Sequence, residues 1–315
     1  SVASTFTHLL DCKIRGITRN PSSATSQSLI SRGIEIVQGD LDDPSSLSSA
    51  FRGATAIFAV TDFWAHFFAT STADAAAASG KRINETAFDA EVRQGRNIAD
   101  AAAGVEVLRT LERFVFSSLA DVGRWSGGKY RNVYHFDSKA VVESYIRGQK
   151  MELAERMSTV LIGNYVTNWR GFPKLMAPQK TSAGDGEELE YVLRKPEDLD
   201  TMIPLVETKK DTGAFVKALI EDLPIGTSLL GVSEMMSWKQ FMEIWGRVLG
   251  VKARMEKISM EEWLEPLPEH LREEVGESYA FNAEFGWTGG DPGVKLPGEV
   301  GVNIRTTGDG GIYPG

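Results

Sequence analysis

Three short segments of this chain hold residues whose types and spacing could do chemistry. In Val133-Tyr134-His135-Phe136-Asp137-Ser138-Lys139, which reads as the start of a helix, His135 and Lys139 stand four residues apart and so share one face. A histidine there can pass a proton near neutral pH, although an isolated histidine is more often structural. Ile17-Thr18-Arg19-Asn20-Pro21 puts an arginine just past an apolar run. In a doubly wound sheet that position reads the ribose, where a carboxylate selects NAD and an arginine accepts the 2′-phosphate of NADP. A solvated loop arginine is the plain alternative. Gly39-Asp40-Leu41-Asp42-Asp43 follows the next apolar run. Asp40 then falls at a strand's carboxyl end, able to accept from an adenine amino group, while Asp43 reads as the cap of the following helix.

Other chemistries are not written in the chain. His8, His66 and His270 are scattered, and no HExxH, paired cysteines or carboxylate cluster has ligand spacing, so no metal is expected. Gly-x-Ser-x-Gly is absent, which disfavours a hydrolase. Gly-x-Gly-x-x-Gly is absent too: Gly184-x-Gly186 continues to Leu189, and Gly123-x4-Gly128-Lys129 has Tyr130 where a phosphate loop needs Ser or Thr. With 34 lysines and arginines against 43 acidic residues, the net charge of −9 gives no general attraction to phosphate backbones, so no direct nucleic-acid partner is expected. The single cysteine, Cys12, cannot make an intramolecular disulfide; it is expected as a buried strand thiol in a reducing compartment. There is no run of eighteen apolar residues and no leader pattern at Ser1-Val2-Ala3-Ser4, so no membrane contact is expected and the cytoplasm is the expected location, with the nucleus also open. Asn84-Glu85-Thr86 matches a glycosylation sequon by accident.

The elements that must position these residues follow from the 315-residue length, 42% apolar content and rhythm of the sequence. Short β-branched runs at 12–18, 34–38, 54–60, 113–117 and 159–163 alternate with helical segments at 22–32, 45–51 and 85–103, as in a parallel sheet with crossover helices. The fold class is therefore α/β, a Rossmann-type doubly wound parallel sheet spanning 1–158 and closing with a strand at 159–163. A smaller α/β C-terminal region, 164–315, is expected to close the cleft, with helices at 211–220, 237–249 and 260–274 and an irregular tail at 289–315. The aromatic-rich stretch 63–82 reads as an inserted loop or short helix, mobile and beside the site. The chain opens on helix-spaced Val2, Phe6, Leu9 and Leu10, so the first strand and its glycine turn are expected to be missing ahead of 12–18.

Taken in order, Ile14-Arg15-Gly16-Ile17-Thr18-Arg19-Asn20-Pro21, Val37-Gln38-Gly39-Asp40-Leu41-Asp42-Asp43, Phe58-Ala59-Val60-Thr61-Asp62-Phe63-Trp64, Arg113-Phe114-Val115-Phe116-Ser117-Ser118, His135-Phe136-Asp137-Ser138-Lys139, Gly163-Asn164-Tyr165 and Glu284-Phe285-Gly286-Trp287 closely resemble the NmrA-like family of atypical short-chain dehydrogenases. The resemblance implies binding of NADP or NAD. Thr18 and Arg19 would lie at the 2′-phosphate, Asp40 and Leu41 on the adenine side, and Val60, Thr61 and Ser117 towards the nicotinamide. Lys139 would stand near the nicotinamide ribose, and Asn164 and Tyr165 in a loop over the cofactor. His135 stands where active short-chain dehydrogenases carry a tyrosine, as in members that look catalytically silent. Two functions follow: a redox sensor that regulates transcription through a protein partner, or an NADPH-dependent carbonyl or enone reductase in biosynthesis, using Lys139 and His135 as catalytic groups and Phe63, Trp64, Tyr165 and Trp169 as pocket walls.

Overall fold

A computed structural model describes residues 2–7, 9, 12–181 and 189–302. His8 and the Gly184-x-Gly186 pair lie outside them. Helix α1 (Val2–Phe6) precedes β1 (Arg15–Thr18), α2 (Ala24–Ile30), β2 (Glu35–Gln38), α3 (Pro44–Phe51) and β3 (Ala56–Ala59). Helices α4 (Phe63–Phe67), α5 (Thr70–Ser79), α6 (Ile83–Ala102) and α7 (Val105–Leu108) lead to β4 (Arg113–Ser118). Then come α8 (Val122–Trp125), α9 (Tyr134–Gln149), α10 (Met151–Ala154) and β5 (Met157–Ile162). The second half holds β6 (Asn164–Tyr165), α11 (Pro173–Met176), β7 (Gln179–Thr181), β8 (Glu190–Lys195), β9 (Met202–Val206), α12 (Thr208–Lys217), β10 (Ser228–Gly231) and β11 (Glu234–Ser237). It ends with α13 (Trp238–Leu249), β12 (Lys252–Lys257), α14 (Met260–Leu264), α15 (Glu269–Phe285) and β13 (Val294–Lys295).

The main sheet has the order β13-β10-β5-β4-β3, with every neighbouring pair parallel. Its inner strands are apolar on both faces because helices cover both. On one side Phe114 and Phe116 pack with Ile98, Ala99 and Ala102 of α6 and Val142 and Ile146 of α9. On the other, Val115 and Val160 pack with Phe215 of α12 and Leu219. Such two-sided burial is what fills parallel strands with Val, Ile and Phe. Two small three-stranded sheets, β11-β9-β6 and β12-β8-β7, lie in the C-terminal region with helices α11, α13, α14 and α15.

Strands β1 and β2 form a parallel pair of their own. Among the described residues β1 pairs with β2 alone and β3 with β4 alone, and one cavity is lined without a break by residues 12–19 and 53–66. A slot therefore runs along the whole length of β1 and β3, with the facing backbone edges of both strands open to it.

Several expectations need correction. Cys12 is exposed, because β1 begins only at Arg15. The 260–274 helix is two helices, since Pro266 and Pro268 in the intervening Glu265-Pro266-Leu267-Pro268 cannot continue one. Residues 63–82, expected as an inserted loop or short helix, hold two helices, α4 and α5, with Phe63 and Phe67 of α4 buried. The tail is not irregular throughout: Val294 and Lys295 add an edge strand beside Ser228 and Leu229. With β10 and α12 it returns the second half of the chain to the main sheet. Among the described residues no helix is long and apolar enough to cross a membrane.

Candidate functional site

The carboxyl ends of β1 to β5 open on one cavity of about 1910 Å³. It is the same cavity that fills the slot. Thr18, Arg19, Asp40, Leu41, Val60, Thr61, Ser117, His135, Lys139, Asn164 and Tyr165 all line it. The outer face of strand ends where the chain order reverses is the place where doubly wound sheets bind ligands.

At the β1–β2 end, Arg19 is exposed and makes no hydrogen bond or ion pair among the described residues. It is a cation at the rim with its guanidinium free. Asp40 accepts from the Asp42 amide at 3.0 Å through Oδ1, and its own amide donates to Ser46 at 2.9 Å, which fixes the turn and leaves Oδ2 over. Asp43 caps α3, accepting from Ser45 N at 3.0 Å and Ser46 N at 3.4 Å. Asp42 faces the other way, onto Arg93 and Gln94 of α6.

Two fully buried carboxylates stand behind the middle of the cavity wall, holding residues that line it. Glu91, on α6 and fully buried, accepts from Lys139, from Ser138 and from Thr61 Oγ1, the last at 2.6 Å. Lys139 also donates to the Thr61 carbonyl at 2.9 Å. The ammonium is thus held at the end of β3 in one orientation. One turn earlier, His135 meets Glu274 of α15, also fully buried, through its backbone amide at 2.9 Å and its Nδ1 at 2.6 Å. Asn84 donates to the second oxygen of Glu274 at 3.0 Å. A carboxylate accepts and does not donate, so Nδ1 carries the proton in the neutral ring and Nε2 is the nitrogen left to the cavity. The ring sits among Phe63, Trp64 and Phe136, with centroids 6.1, 5.0 and 4.8 Å away. Asn84, the sequon residue, is buried in this network.

Ser117 is buried at the end of β4, and Val60 is exposed at the end of β3. Asn164 and Tyr165 are not a loop: they pair as β6 with Leu205 and Val206 of β9. Gly163 permits this, because a Cβ there would lie 2.4 Å from the Pro204 carbonyl oxygen. Asn164 Oδ1 accepts from Asn168 at 2.9 Å. Phe63, Trp64 and Tyr165 do wall the cavity, but Trp169 does not; Phe172 takes that place. The Gly123–Lys129 segment is structural, with Lys129 paired to Glu284 of α15.

Sequence reasoning missed Glu91 and Glu274. Both interrupt an apolar helix stripe, Ala87-Glu91-Gln94-Ile98 and Leu271-Glu274-Ser278-Phe281, and a charge at such a position is the signal that could have found them.

Residues 1–303 match the model of the NmrA-like family. The chain belongs to the NmrA-like family. It is 26% identical over 273 residues to the NmrA-like family domain-containing oxidoreductase FrzB of Cladobotryum sp., covering 82% of this chain and 72% of that protein. Its fold matches that of NmrA, a negative transcriptional regulator solved in complex with NADP, with a TM-score of 0.63 at 18% identity over 89% of this chain and 78% of that one. It also matches the NADPH-dependent quinone oxidoreductase QOR2 of Escherichia coli, solved with NADPH, with a TM-score of 0.61 at 16% identity over 91% and 86%.

Proposed function

We propose that this NmrA-like chain is an NADP(H)-dependent reductase of a carbonyl or enone, with NAD as the less favoured nucleotide. The observation that carries the reading is His135, on the cavity wall one helical turn from Lys139 and held from behind by the buried Glu274. A buried carboxylate that orients a histidine is how proton-transfer sites are commonly built.

The cavity fits a dinucleotide at both ends. Arg19 has a free guanidinium for a 2′-phosphate and Asp40 a free oxygen for an adenine amino group. Lys139, held by Glu91 and by the carbonyl and hydroxyl of Thr61, would donate to a ribose hydroxyl in exchange for its longest bond, the 3.2 Å one to the Thr61 hydroxyl. Between them lies the slot. A parallel apolar strand seated there would complete the ladder of β1 and β3, and a glycine turn at its end would bring backbone amides to the phosphates. A bound nicotinamide supplies the hydride. The chain's own residues do the rest: Lys139 and Thr61 orient, Phe63 and Trp64 keep water from the wall, and His135, as the imidazolium, gives its Nε2 proton to the substrate oxygen and is left as the neutral ring with Nδ1–H on Glu274.

The test is NADPH consumption across a panel of aromatic aldehydes, ketones and enones. His135→Asn should lower turnover about 10²- to 10⁴-fold with the nucleotide Kd unchanged. Unaltered turnover, or none with any substrate, would count against the reading. The likeness to a transcriptional regulator supports a second one, in which nucleotide occupancy at the same contacts is reported to a protein partner.

A further inference from the structure

Three side-chain oxygens among the described residues are buried with no hydrogen-bond partner: Ser158 Oγ, Glu197 Oε2 and Asn282 Oδ1. Two of the three, on Glu197 and Asn282, belong to residues that line the cavity. Glu197 is 5% exposed, and its other oxygen accepts from Trp238 Nε1 at 3.3 Å. Asn282 shares a face of α15 with Ser278 and Tyr279, which line the cavity as well. An acceptor left bare in a protein interior costs its full desolvation, so a bare oxygen on a residue that lines a cavity is where a ligand's donor would be taken up once the side chain turns it to the open space.

The charge behind Glu197 narrows the donor. Lys195 is 1% exposed, its Nζ lying 4.8, 5.0 and 5.0 Å from the ring centres of Trp238, Trp263 and Tyr279 and donating to the Tyr279 hydroxyl at 3.3 Å. Its acidic neighbour is Glu197, and burial brings the ammonium down to about 8 without discharging it at neutral pH. Burial raises the Glu197 carboxyl in turn, and each group supports the other's charge against that burial. A cationic ligand would leave an unbalanced positive charge in this apolar corner, whereas a neutral N–H or O–H satisfies the bare oxygens at no such cost. Asn282 also lies eight residues beyond Glu274 on one helix, which is about 12 Å along its axis.

We propose that Glu197 and Asn282 anchor the substrate, selecting an elongated, otherwise apolar molecule with an uncharged hydroxyl or N–H donor on the order of 10 Å from its reducible group. This rests on the reductase reading, so the test reads binding without turnover. Calorimetric titration would compare 4-hydroxychalcone, 4-methoxychalcone and the cationic 4-(aminomethyl)chalcone on the chain without nucleotide. The hydroxyl compound should bind about tenfold tighter than either of the others. Asn282→Leu should cut that preference severalfold. Glu197→Leu alone would strand the Lys195 charge and risks misfolding, so the paired change K195M/E197M, which removes both charges, should abolish the preference in a folded protein. Equal affinity for the three compounds, tighter binding of the amine, no binding at all, or a preference that survives K195M/E197M would each overturn the proposal. A hydroxyl preference in a protein that consumes no NADPH would keep the anchor and remove the reductase.

Discussion

Each of the two bases at this site is held by a carboxylate with no access to solvent. Glu91 is saturated by Lys139, Ser138 and Thr61, and Glu274 by His135 and Asn84. Removing one member leaves the other as an uncompensated buried charge, so Glu91→Ala should cost about 3–5 kcal/mol in chemical denaturation. Glu274→Gln keeps the shape but frees the imidazole from its fixed tautomer, and should lower turnover far more than it lowers stability. Asp137 behaves differently. Burial pushes its carboxyl up to about 6, above the 3.8 of an ordinary aspartate, although the Val122 and Gly123 amides donate to it. A raised acid favours the fold while protonated; that contribution is complete below about pH 4 and is lost as pH rises through 6. Stability measured from pH 4 to 7 should therefore fall less for Asp137→Asn than for the natural protein. An identical slope in the two would show that Asp137 ionises as it does in the unfolded chain.

The helices α6 and α9 bring Glu91 to Lys139, and their closeness depends on Gly95. A Cβ there would meet Val142 at 2.3 Å. Gly95→Ala should cost about 1–3 kcal/mol in thermal melts and loosen the Lys139–Glu91 pair, because overpacking here moves one helix off the other. At this scale the alternation of strands and helices up to residue 162 was legible, because Phe114 to Phe116 and Val160 to Ile162 are apolar without interruption and the cap at Asp43 is a local signal. So were the cavity-lining positions at the strand ends. The carboxylate partners of His135 and Lys139 were not, since Glu274 is 139 residues from His135 and only packing brings them together. The return of β10 and β13 to the main sheet was hidden for the same reason: pairing over such separations leaves no local trace. The strand character of Asn164 and Tyr165 depends on β9, which no local pattern around Gly163 reveals.

Across the whole molecule the β1–β2 pair and the main sheet, which ends at β3, border one slot, and Arg19, Asp40 and the His135–Lys139 face line the same cavity. The cavity of this NmrA-like chain lies at the strand ends, where doubly wound sheets bind their ligands, and the proposed dinucleotide would run from the Arg19 rim to the His135–Lys139 face. The decisive measurement is calorimetric titration of NADP+ and NAD+ into the chain, into a form extended at its N-terminus by an apolar strand and glycine turn that fill the slot, and into Arg19→Ala of each. The account predicts that the filled form binds NADP+ more tightly than NAD+, and that Arg19→Ala removes the difference while NAD+ affinity holds. Failure of the chain and of the filled form to bind either nucleotide, or a preference for NADP+ that persists without Arg19, would contradict it.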